Sequence, residues 1–177
     1  KSSSEKIYRE PIEQDIEALK KATFYLKNNL YNQKISKSLS LIPTEELPYL
    51  RSIFNVRVYG IDQWCKLFTD RQLVSALEHV LVFRELMTEF KKKETNKILI
   101  EATATCLALV ISNGFQYQCN IATYLSDGIV SAFIQGQSLG MKMDYVEANP
   151  LIPDLVGGFD YSLAKTLSGI SYLESFE

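Results

Sequence analysis

The chain has 177 residues, 46% of them apolar and 23% charged, enough for one well-buried domain and short for two. A net charge of −2 excludes the strong basic excess of a dedicated nucleic-acid-binding module but leaves room for a local basic patch. Three scattered cysteines (Cys65, Cys106, Cys119) and the single histidine His79 cannot make a recognisable structural zinc site, and they fit a reducing, cytoplasmic setting.

Residues 1–9 are polar and read as a loose lead-in, unlike a signal peptide; the start at Lys1 rather than Met suits a piece of a longer protein. Pro11 fits the first turn of a helix on which Ile12, Ile16, Leu19, Thr23, Leu26 and Leu30 recur at three- and four-residue steps. Lys20, Lys21 and Lys27 fall elsewhere on it, as a solvated face more readily than a phosphate-binding stripe. A polar connection over 31–40 leads to a proline-bracketed turn at 41–48. The β-branched Ile53, Val56 and Val58 predict a short extended segment near 53–59, ending at Gly60 and the one place where a strand is expected.

Asp62 can cap a short helix through Leu67. The clearest local signal follows at Phe68-Thr69-Asp70-Arg71-Gln72-Leu73. Thr69 is placed to cap, Gln72 to reach back to the Thr69 N–H, and Phe68 to staple onto Leu73. The helix runs to about Phe90, burying Leu73, Leu77, Val80, Leu81 and Met87. Residues 95–114 are the most apolar segment and predict a buried central helix; its 98–111 run, broken by Glu101, Thr103 and Thr105, reads as too short to span a bilayer, and no membrane partner is expected. Gln116, Gln118 and Asn120 form a polar cluster beyond it. In 127–151, Ile129, Val130, Phe133 and Ile134 share a helical face, and Pro150 closes the segment. After a Pro/Gly loop, Asp160 can cap a last helix with Leu163, Leu167, Ile170 and Leu173 on one face. The expected class is mainly α: one domain over 1–177, of about five to seven helices.

Two runs carry a resemblance. One is W-x-x-L-F-T-x-R-Q-L, Trp64 to Leu73; the other is F-x-x-x-Q…M-x-x-D-Y-x-E-A-N-P, Phe133 to Pro150. Together they resemble the helical region of the prokaryotic adenine-specific DNA methylases that carry a zinc ribbon, over about 42–151. In that family a similar E-x-N-P run precedes the catalytic D-P-P-Y motif, which this chain lacks. The family also has an asparagine after its apolar helix, matching Asn120. The resemblance implies a helical domain lying between the cofactor-binding motif and D-P-P-Y, without catalytic, cofactor-binding or metal residues of its own. S-adenosylmethionine and a zinc ion are then expected in the parent protein. DNA is reached through that parent, and the missing methylase core is the direct partner. The residues expected to touch DNA or the core are Arg71, Gln137, Asp144, Glu147 and Asn149.

The residues themselves leave alternatives open. Capping and packing explain every position of 68–73 except Arg71, which suits a DNA or core contact, a salt bridge or solvent. Asp144 and Glu147 can offer exposed acceptors to a neighbouring domain, or Glu147 can pair within the chain. Asn149-Pro150-Leu151-Ile152 lacks the second proline and the aromatic of an amino-methyltransferase motif, which stacks on a flipped base. No G-x-G-x-x-G or P-loop is present. A helical protein-interaction module without catalysis is the competing class.

Overall fold

The computed structural model describes residues 9–50, 55–124, 130–131, 134–135, 138–142, 144, 146–153 and 155–176. Among them are four α-helices: α1 (Glu13–Tyr25), α2 (Asp70–Lys93), α3 (Lys97–Phe115) and α4 (Phe159–Glu174). The expected mainly α class stands, with fewer full helices than expected. Short turns of other helix types supply the rest: a π turn at Leu26–Leu30 and 3-10 turns at Asn55–Tyr59 and Trp64–Leu67. α1 packs on α2, α2 on α3, and α3 on α4.

The capping box forms as the residue types require. Thr69 Oγ1 accepts from Gln72 N at 3.2 Å, and Gln72 Oε1 accepts from Thr69 N at 2.8 Å. Asp70 occupies the first turn and Lys91, Lys92 and Lys93 the last, both favourable to the helix dipole. The core has two parts. Leu73 and Leu77 of α2 join Leu26, Leu30, Leu41 and Ile42 in one cluster. Leu47, Val56, Leu67, Cys119, Ile121, Ala122, Leu139 and Val146 form the other. Each fully buried leucine, such as Leu30, Leu47 or Leu67, contributes roughly 1.5–3 kcal/mol of transfer free energy. The turn at 41–48 sends Leu41, Ile42 and Leu47 into this core, and its backbone is paired there: Leu47 N donates to Asp62 O at 2.7 Å, and Cys65 N to Pro43 O at 2.9 Å.

Several expectations are corrected. Of the segment expected at 53–59, Ile53 lies outside the described residues, and 55–59 are a 3-10 turn, not a strand; Val56 turns into the core, and Gly60 takes the left-handed backbone (φ 87°) that ends the turn. Short strands occur instead in the stretch expected to be helical. β1 (Thr123–Tyr124) pairs antiparallel with β2 (Val130–Ser131), and β3 (Ile134–Gln135) with β4 (Ser138–Leu139). The helical face expected there also used Ile129 and Phe133, which lie outside the described residues. Pro11 precedes the cap of α1 rather than entering its first turn, and Gly158, not Asp160, caps α4. Asp62 does not cap either: Gln63 holds that position, and Asp62 pairs with Lys66 at 2.7 Å.

The largest correction concerns α3. It is not central: only Val110 is buried, while Ile98 is 80% exposed and Leu109 58%. At 19 residues and mean hydropathy 1.7, Lys97–Phe115 is long and apolar enough to cross a membrane by length and composition, which the shorter 98–111 run had not suggested. The α1 stripe buries only Leu26 and Leu30 at its far end, leaving Ile12, Ile16 and Leu19 about half exposed. On α4, Leu167 and Leu173 are exposed and Ser162 is buried instead. A helical period marks a face but does not say which neighbour covers it.

Candidate functional site

The site begins at the start of α2. With Thr69 at the cap, Arg71 and Gln72 are the second and third helical residues, and Ser75, Ala76 and His79 follow on the same face one and two turns on. Gln72 is 4% exposed and works twice. Its Oε1 closes the capping box, while its Nε2 donates to Val146 O at 2.8 Å. A buried amide with both ends bonded is a fixed point, so the backbone at 146 is held against the helix start.

That clamp sets the next residue. Glu147 meets Arg71 side by side: Nε lies 2.6 Å from Oε1, and Nη2 donates to Oε2 at 3.0 Å. The Nε–Oε1 approach is an ion-pair contact, whose N–H does not align well enough to count as a hydrogen bond. The chain then turns. Asn149 Oδ1 accepts from Leu151 N at 3.0 Å, and Pro150 O accepts from Phe159 N at 3.0 Å, tying the segment to the first turn of α4.

A cavity of about 330 Å³ opens between these pieces. α2 lines it with Arg71, Gln72, Ser75, Ala76 and His79. Val110, Ile111, Gly114 and Phe115 come from α3, and Gln118 from the turn after it. The 147–150 segment, Gly157 and Phe159 close it. The His79 ring tilts over Phe159 with centroids 6.1 Å apart, and its Nδ1 is 2.7 Å from Ser75 O. In the neutral ring Nδ1–H donates to that carbonyl, which leaves Nε2 as an acceptor. Gln118 is 7% exposed, and its Nε2 has no hydrogen-bond partner among the described residues.

Of the residues expected to make contacts, Arg71, Glu147 and Asn149 come together here. Asp144 does not; it is exposed, and its Oδ2 accepts from Tyr124 N at 3.2 Å. The Asp144–Glu147 pair is therefore not a shared free face, since each acid has its own partner in the chain. Gln137 lies outside the described residues. Asn120 packs the turn after α3 onto the 3-10 turn before α2: its N donates to Leu67 O at 2.7 Å. Cys119 is fully buried in the core, and burial pushes its thiol up to about 12. Among the described residues no three His, Cys, Asp or Glu side chains converge as a metal site would need.

Sequence reasoning missed the second bond of Gln72 and the inward role of Ser75, His79 and Gln118. The three- and four-residue spacing of Arg71, Ser75 and His79 was the available signal for one polar face on α2. Nothing local marked Phe159 as a wall of the same cavity.

No family model, curated protein or solved structure matches this chain.

Proposed function

We propose that the chain is the non-catalytic helical domain of an S-adenosylmethionine-dependent, adenine-specific DNA methyltransferase, and that it positions the catalytic core against its DNA. One observation carries this reading. The two runs that resemble those methylases, 64–73 and 133–150, touch at two points: Arg71 pairs with Glu147, both motif positions, and Gln72 bonds the backbone carbonyl of Val146. The pair joins residues 76 apart in the chain, so the two resembling runs form one local structure.

The exposed apolar residues of α3 and α4 support it too. Ile98, Leu99, Leu109, Leu167 and Leu173 would be covered by the core in the parent protein. Because Glu147 neutralises Arg71, the pair suits an interdomain contact better than a phosphate contact. S-adenosylmethionine supplies the methyl group in the parent enzyme; no residue of this chain is assigned to hold it or a zinc ion.

The test uses the natural polypeptide that contains this segment. It should transfer labelled methyl groups from S-adenosylmethionine to adenine in duplex DNA, and its coding sequence should carry D-P-P-Y downstream of Pro150. Absence of both the transfer and the motif would overturn the reading and leave a helical protein-interaction module, which the same exposed faces would serve.

A further inference from the structure

We propose that the cavity between α2, α3 and the 147–150 segment binds a small uncharged aromatic molecule bearing one hydrogen-bond acceptor, in the manner of an aromatic amide. The inference stands apart from the methylase reading. Its volume, about 330 Å³, is within the range of small-molecule sites. Phe115 and Phe159 line it, with the His79 ring 6.1 Å from that of Phe159, so a flat ring entering the cavity would meet aromatic surfaces. Gln118 is more than nine-tenths buried, and its Nε2 has no partner among the described residues. A buried donor without an acceptor is costly, so an acceptor placed in the cavity removes a penalty that the chain otherwise carries. The charge of the site argues for a neutral ligand. Arg71 and Glu147 cancel each other at its edge, so an anion would meet the carboxylate and a cation the guanidinium.

The probes are benzamide, toluene and benzoate, titrated into the 177-residue chain and followed by amide and side-chain NMR shifts. Benzamide has the ring and the acceptor, toluene has only the ring, and benzoate adds a charge. Saturable benzamide binding that moves the Gln118 side-chain amide is expected, with toluene and benzoate each about tenfold weaker. Gln118→Leu removes the donor and should bring benzamide down to the affinity of toluene. No saturable shift, equal affinity for all three probes, or unchanged benzamide affinity in Gln118→Leu overturns the proposal. Should Gln118→Leu fail to fold, the wild-type shift map decides. Shifts centred on Gln118, His79 and Phe159 support the site, and shifts that bypass them refute it.

Discussion

Arg71 and Glu147 lie 76 residues apart in the chain and meet side by side, Nε to Oε1 at 2.6 Å and Nη2 to Oε2 at 3.0 Å. Their side chains are 38% and 27% exposed, so water still screens the pair. It fixes the Glu147–Pro150 segment to the start of α2 and so shapes one side of the cavity.

A double-mutant cycle on this pair should return a coupling of roughly 0.5–1 kcal/mol, the upper part of the range for exposed ion pairs. The coupling should shrink as salt is raised. Exchanging the charges, Arg71→Glu with Glu147→Arg, should recover part of the loss of either single reversal. Strictly additive single effects would mean that the pair does not hold the segment.

Thr69→Ala removes the hydroxyl that accepts from Gln72 N. It should lower stability by about 1 kcal/mol. Gln72→Ala should cost more, because it also breaks the bond to Val146 O and leaves a buried carbonyl unpaired. Denaturant midpoints measure both; an equal loss in the two variants would deny Gln72 its second role.

Gly157→Ala should be among the most damaging small substitutions in the described residues. Gly157 has φ 83°, and an added Cβ would run into the Tyr117 side chain. The expected cost is about 2 kcal/mol or more, combining backbone strain with the clash. The nearest contact is with Tyr117 Cβ, which alanine would keep, so only Tyr117→Gly in the same chain should relieve the clash, though not the strain; that double variant should melt above Gly157→Ala alone once the separate cost of Tyr117→Gly is subtracted. A thermally silent Gly157→Ala would place this backbone elsewhere.

Acid should loosen the start of α1 through Asp15. The Arg9 guanidinium hydrogen-bonds this carboxylate, Ile12 N adds a second bond, and together they lower its pKa to about 2. A folded pKa below the unfolded value means that the stabilisation is fully present above the ordinary carboxylate range. It is lost as pH falls from about 4 towards 2. Helicity followed by circular dichroism should fall over that window, and Asp15→Asn should flatten this part of the curve. Identical acid curves for the two proteins would remove Asp15 from the account.

The local features of this protein were legible in its residues. Phe68-Thr69-Asp70-Arg71-Gln72-Leu73 announced the start of α2, because a capping box is closed by groups within four positions of one another. The mainly α class and the positions of α2 and α4 followed from three- and four-residue apolar spacing, and that of α3 from its nearly continuous apolar run. Tertiary structure decided which of those faces lie inside. Ile98 and Leu109 are as apolar as Val110, yet Val110 alone is covered, since burial depends on the neighbour packed against a helix and not on the helix itself. The short strands at 130–139 escaped for a related reason: a ladder needs a partner strand, whereas a helix closes its own hydrogen bonds. The site divides along the same line. Residue types singled out Arg71, Glu147 and Asn149, but their meeting, with His79, Gln118 and Phe159 around one cavity, arises only when α2, α3, α4 and the 147–150 segment are brought together. Contacts across 76 residues leave no periodic trace in a sequence, because they are set by chain packing and not by local backbone geometry.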